Sequence, residues 1–137
     1  MLESDNAGFT TLTLSYNPLY LDLSVARGEG HPARVMNPFL VLLLVFGLTV
    51  EDLSEGGGPF LGVDELTFHA TVYAGVTVTA ASVVLDKRES EKRPGWGIVT
   101  WHTEGFLGDQ LPAAADESQR VVDFRRSNLI PKRGPAA

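Results

Sequence analysis

The sequence predicts an α+β protein in which one apolar helix is wrapped by a curved antiparallel sheet. Three observations carry this. Phe39 to Val50 (FLVLLLVFGLTV) is the one long apolar run and holds no charge. From Val63 onward the chain turns rich in β-branched residues that alternate with polar ones, the period of a strand. Glu51 to Pro59, with three consecutive glycines, separates the two regimes and reads as a flexible connection.

The elements follow in order. Residues 1–8 are polar, and a frayed terminus is expected. Helix and strand both fit Phe9 to Leu14. Ser15 to Asp22 (SYNPLYLD) contains Asn-Pro, a turn signal, and a short amphipathic piece at Leu21 to Ala26 follows. Arg27 to Arg34 is a loop by its Gly and Pro content. The apolar run then opens with Asn37-Pro38: Asn caps free N–H groups and Pro fits the first helical position, so a helix is expected from residue 38 to about 48. A strand is the rival, but the Leu content and the cap favour helix, and a helix apolar all round is a buried one. At about 12 residues it is short of the roughly 20 that span a bilayer.

Strands are expected at Val63–Val72, Val76–Leu85, Gly97–Leu107 and Arg120–Ile130. Tyr73-Ala74-Gly75 reads as a tight turn, Asp86 to Gly95 as a charged turn, and Gly108 to Ser118 as a loop with an Ala-rich insert. Val122, Phe124, Arg126 and Asn128 fall on one face of the last strand, opposed to Val121, Asp123 and Arg125. Short connections imply a four-stranded antiparallel meander. A sheet of this kind around a central helix is the hotdog arrangement, and its open edge invites a second copy or a relative. Residues 131–137 read as a flexible tail, and the 137 residues as a single domain.

Composition narrows the function. The absence of cysteine excludes disulfides, thiolate catalysis and Cys-ligated zinc, and nothing points to secretion, so a cytoplasmic protein is expected. A net charge of −6 argues against a nucleic-acid surface. The cations cluster at Lys87–Arg93 and Arg120–Arg133, either as solvated faces or as a landing site for an anion such as the phosphates of a cofactor. No His and carboxylate set has metal-ligand spacing. The glycines at 56–58 lack the Lys-Ser/Thr of a phosphate loop, and no serine stands in a G-x-S-x-G context.

Four stretches, taken together and in order, carry a resemblance: NPLYLD, RVMNPFLVLLLVFGLTVED, LGVDELTFHATVYAGVTVTAASVVLDKRESEKRPGWGIVT and FRRSNLIPKR. They resemble the MaoC-like hydratase/dehydratase family, and within it the mesaconyl-CoA hydratase-like branch, over residues 9–133. The pairing of KRESEKRPGWGIVT with FRRSNLIPKR is the most specific part. The chain begins late relative to that pattern, so an N-terminal segment is expected to be missing. The resemblance implies a hotdog fold, dimeric or doubled, acting on acyl thioesters of CoA or acyl carrier protein without a further cofactor. It implies syn addition or removal of water across a 2,3-enoyl bond. One group takes a proton from water, another delivers one to the α-carbon, and a helix N-terminus polarises the thioester carbonyl.

The family's acid–base pair is an Asp and, five positions later, a His, flanking Asn-Pro. Here those positions hold Ser15 and Tyr20, neither a base near neutral pH. Pro38 stands where a Gly often opens the helix and removes one N–H from the carbonyl site. The resemblance therefore implies a degenerate site: Ser15 and Tyr20 in the catalytic positions, and Asn17, Asn37 and Phe39 around the substrate. His31 is a substitute base, with Glu29 as its orienter. His69 and His102 read as structural, and Asp64 and Glu65 as exposed carboxylates ahead of a strand. Two further readings stand beside a hydratase: a non-catalytic hotdog subunit that stabilises or complements an active partner, and a thioesterase-type hotdog.

Overall fold

The structure, a computed structural model, describes residues 1–112 and 117–134; the Ala-rich insert expected at 113–115 and the last three tail residues lie outside them. Among the described residues five helices precede four strands: α1 (Glu3–Leu12), α2 (Pro18–Leu21), α3 (Leu23–Gly28), α4 (Pro38–Leu48), α5 (Val50–Leu53), β1 (Phe60–Phe68), β2 (Val78–Glu89), β3 (Trp96–Leu107) and β4 (Arg120–Pro131).

The apolar run is the expected helix, α4. Asn37 Oδ1 accepts from the Phe39 N–H at 3.1 Å, Pro38 occupies the first turn, and the Thr49 hydroxyl closes the far end on the Phe46 carbonyl at 2.8 Å. Leu40, Val41, Leu42 and Val45 are buried against Val121, Val122 and Phe124 of β4 and against Met36 and Val72. Gly105 makes the closest approach possible, because a Cβ there would meet Val45 Cγ2 at 2.5 Å. The expectation that α4 is wrapped on most sides is corrected: Phe39, Leu43 and Leu48 are more than half exposed. Uniform apolarity shows that every side avoids water, and not which element of this chain covers each side.

The four strands form one antiparallel sheet in the order β1-β4-β3-β2. The expected meander holds for β2-β3-β4 alone. β1 pairs with β4 on the opposite edge from β2, so Tyr73-Ala74-Gly75 is not a hairpin turn. The segment after β1 instead crosses to the other edge. Val72 buries itself and accepts from the Met36 N–H at 2.8 Å, and Tyr73 forms an isolated bridge with Val35. Residues 86–89, expected in a turn, extend β2.

The N-terminus is also corrected. Residues 3–12 form α1, held by Asn6, which is 2% exposed. Its amide donates to the Tyr20 and Val35 carbonyls at 3.2 and 3.0 Å, and its oxygen accepts from the Asn37 N–H at 2.7 Å. Such a fastening is invisible to hydropathy. The glycine connection is docked and not free: Gly58 has φ +112°, a Cβ there would lie 1.8 Å from the Leu129 carbonyl oxygen, and the Leu129 N–H donates to the Pro59 carbonyl. At the other end Pro131 belongs to β4, and Lys132 pairs with Glu89, so these residues are not a loose tail.

Candidate functional site

The loop ahead of α2 and the entry to α4 meet in one buried polar network. Asn37 is fully buried, and its Nδ2 donates to Thr10 Oγ1 at 3.2 Å and to Ser15 Oγ at 2.9 Å. Thr10 is itself fully buried, and Ser15 shares a 2.7 Å hydrogen bond with the Thr13 hydroxyl. The chain reaches this place by a left-handed residue, Leu14 (φ 56°), and by the Ser15 N–H closing on the Thr10 carbonyl. Ser15 thus stands at the α4 N-terminus, against the residue that caps it.

Every group of Asn37 is committed within the chain: the backbone N–H to Asn6, the oxygen to Phe39, the amide to Thr10 and Ser15. Pro38 has no N–H, the Phe39 N–H is taken by the cap, and the Leu40 and Val41 N–H groups both close on the Asn37 carbonyl. The macrodipole still points its positive end here, but no first-turn donor is left for an external oxygen.

Tyr20 lines a groove of about 320 Å³ with Glu3, Ser4, Ala7, Leu21 and Arg34. Asn17 caps α2, its Oδ1 accepting from the Leu19 N–H at 3.0 Å. Phe39 is 55% exposed, with its ring edge-on to Phe68. His31 has a different partner from the one expected: Nδ1 lies 2.8 Å from the Tyr73 hydroxyl, while Glu29 is exposed. Gly30, at φ +88°, turns the chain so that the His31 N–H closes on the Ala26 carbonyl and the ring faces Tyr73. A second, apolar cavity of about 290 Å³ opens beside the first turn of α4 between Met36, Pro38, Val41, Phe68, Val72 and Val121.

Two charged clusters were not foreseen. Asp123 holds His69 and His102 at 3.0 Å each, with Arg120 3.9 Å away. Burial pushes its carboxyl up, but hydrogen bonds from His102 and His69 and the charges of His69 and Arg120 outweigh it and hold the pKa below the usual carboxylate value. The Glu104 hydrogen bond, aided by Glu117 and Asp123, raises that of Arg120. Asp64 and Glu65 lie within β1 and not ahead of it, and Glu65 pairs with Arg125 at 3.0 Å. The other cluster is Arg126, fully buried under the C-terminal half of α4. It donates to Thr49 Oγ1 at 2.7 Å, Ser54 Oγ at 2.8 Å and Asn128 Oδ1 at 3.0 Å, and stacks 4.2 Å over Phe46. Burial lowers its pKa. Its place on the core face was legible from the alternation of β4. That it would be sealed was not.

One apolar helix packed on a four-stranded antiparallel sheet, with an Asn-capped helix entry beside an Asn-Pro turn, defines a hotdog of the MaoC-like class. A MaoC domain protein of Chloroflexus aurantiacus J-10-fl superposes with TM-score 0.86 at 20% identity, covering 98% of this chain and 40% of that one. The (R)-hydratase from A. caviae superposes with TM-score 0.74 at 26% identity, covering 96% and 89%. The chain belongs to the mesaconyl-CoA hydratase family, whose model matches residues 1–137. The mesaconyl-CoA hydratase of Haloarcula marismortui is 43% identical over 125 residues, 91% of this chain and 33% of that protein. The chain spans about a third of the length of the curated relatives it matches. None of the described helices is long and apolar enough to cross a membrane.

Proposed function

We propose that this chain is one hotdog unit of an enoyl-CoA hydratase/dehydratase, lacking the acid–base pair itself and working beside a second hotdog unit that supplies it. In such a reaction a water oxygen bonds to C3 of the enoyl thioester, its proton passes to a base, and C2 takes a proton as charge leaves the thioester oxygen. The observation that carries the reading is the state of the α4 entry. Ser15 offers no carboxylate, Tyr20 is a phenol and no base near neutral pH, and the first-turn N–H groups are bonded within the chain. A site built this way holds neither the proton acceptor nor a donor for the developing oxyanion. Family membership and the fit to the (R)-hydratase support an acyl-CoA as the substrate of the assembly.

The test follows the enoyl absorbance of crotonyl-CoA and mesaconyl-CoA. The unmodified chain is expected to show no turnover alone. Ser15→Asp with Tyr20→His and Pro38→Gly restores the pair and one N–H, and is expected to raise hydration by on the order of 10²-fold or more. The variant without Pro38→Gly separates the two contributions. Turnover by the unmodified chain at roughly 1–10³ s⁻¹ would overturn the reading. His31→Ala would then ask whether the His31–Tyr73 pair is the acid–base couple.

A further inference from the structure

Arg34 stands apart from the other partnered arginines of the chain. Arg126 is sealed in the core, and Arg120 and Arg125 pair with carboxylates along the sheet. Arg34 instead borders the groove of about 320 Å³ that Tyr20 lines with Glu3, Ser4, Ala7 and Leu21. The walls of this groove are fixed from inside. The buried Asn6 amide donates to the Tyr20 carbonyl at 3.2 Å and to the Val35 carbonyl at 3.0 Å, and the Val35 N–H donates to the Leu19 carbonyl at 2.9 Å. One buried side chain therefore holds a lining residue on one wall and the neighbour of the cation on the other.

The guanidinium is oriented as well as placed. Its Nε donates to the Leu21 carbonyl at 3.0 Å. Its other bond is loose: the single nitrogen Nη1 is shared between both oxygens of Glu3 at 3.2 Å each, longer than the roughly 2.7–2.9 Å of a good charge-assisted bond. Both side chains stay open to water, Arg34 at 34% and Glu3 at 54%, so the pair is screened and weak. Nη2 has no partner among the described residues, and neither have the Tyr20 and Ser4 hydroxyls.

We infer that this groove binds a small carboxylate with an apolar body, which takes the place of Glu3 on Arg34. The chain's own carboxylate marks the position and holds it weakly. A free carboxylate lies across Nη1 and Nη2 in the two-bond geometry that Glu3, tethered to α1, does not make. Ala7, Leu21 and the body of Tyr20 give its carbon chain an apolar wall, and Ser4 and Tyr20 add hydroxyl donors to the lining. One cation with a carboxylate beside it suits a single negative charge and not the two of a phosphate. Such a ligand needs neither the enoyl thioester nor the second hotdog unit of the proposed function.

NMR titration of the chain with butyrate, with its uncharged isostere butyramide and with inorganic phosphate tests this. Butyrate is expected to move the Arg34 Nε–H signal and the backbone signals of Tyr20 and Leu21, less so as salt rises. Butyramide is expected to bind about tenfold more weakly. Glu3→Ala frees the fork and is expected to tighten butyrate by about threefold, a gain that a merely structural Glu3–Arg34 pair does not give. Arg34→Gln is expected to weaken it by about tenfold, and Tyr20→Phe, which keeps the ring, by about twofold. If Glu3→Ala unsettles α1, Glu3→Gln gives the same reading with the side chain's shape kept. Butyrate affinity unchanged or weakened in the folded Glu3 variant overturns the inference. So do the absence of any butyrate shift, tighter binding of phosphate than of butyrate, and shifts centred on other cations. Every readout is of binding, so the enoyl-absorbance test of the Ser15, Tyr20 and Pro38 variant is untouched and the two readings fall separately.

Discussion

A single residue can fasten three elements. Asn37 joins α1 through Thr10 and Asn6, the α2 approach through Ser15, and α4 through its own cap. Asn37→Ala removes the side-chain partner of the buried Thr10 hydroxyl and of Ser15 and deletes a cap, while the backbone bond to Asn6 stays. It is expected to lower unfolding free energy by ~1–3 kcal/mol, read from the urea midpoint. Asp123 does the same across the sheet, joining His69 after β1, His102 on β3 and its own strand. Because its folded pKa lies below the ordinary value, its stabilisation is present above an unfolded pKa near 3.9 and is lost as pH falls through the lower folded one. Asp123→Asn is expected to flatten the loss of urea stability between pH 5 and pH 2. An equal loss in both proteins would show that the carboxylate is not the source.

At the scale of elements, what was legible and what was not divides by the range of the cause. The α4 bounds followed from local chemistry, Asn-Pro at one end and the loss of apolarity at the other, and the structure places the helix at Pro38–Leu48. The faces of β4 followed from alternation, which put Arg126 inside with Val122 and Phe124. The α1 helix was missed because its anchor, Asn6, bonds to carbonyls 14 and 29 residues away. Strand order was missed because the crossing after β1 is held by long-range bonds to Met36 and Val35, and a short Gly-containing connection looks the same whether it turns or crosses. At the site, the family pattern put Ser15 and Tyr20 in the catalytic positions, while the bond of Ser15 to the α4 cap, the spending of the first-turn N–H groups and the groove that Tyr20 lines needed coordinates. Leu42→Asp tests the element most directly. Leu42 is 8% exposed on the buried face of α4, and an unpaired carboxylate there costs several kcal/mol, so the variant is expected to lose its cooperative unfolding transition. A soluble variant that unfolds cooperatively would put Leu42 on the wrong face.

At the scale of the whole molecule, apolar side chains stay exposed on α4 and on both edge strands. Phe39, Leu43 and Leu48 of α4 stay 55%, 51% and 53% exposed, although the Phe39 ring meets Phe68 edge-on. β2, an edge strand, presents Val83, Val84 and Leu85, and β1, the other edge, presents Phe60 and Leu61, all between 48% and 59% exposed. A lone exposed leucine means little, but several exposed apolar residues on a helix together with two apolar sheet edges are the kind of surface that association covers. The chain at micromolar concentration is therefore expected to sediment as a species heavier than 14.8 kDa. Leu43→Glu with Leu48→Lys tests the helix face without touching the core, since both side chains point to solvent. These changes are expected to shift the protein toward the monomer while leaving its unfolding free energy, measured in urea at high dilution, within about 0.5 kcal/mol of the parent. If the substituted chain keeps the parent's sedimentation, association runs through the strand edges, and Val83→Lys on β2 becomes the discriminating change. A parent chain that sediments as a single 14.8 kDa species would refute the expectation outright.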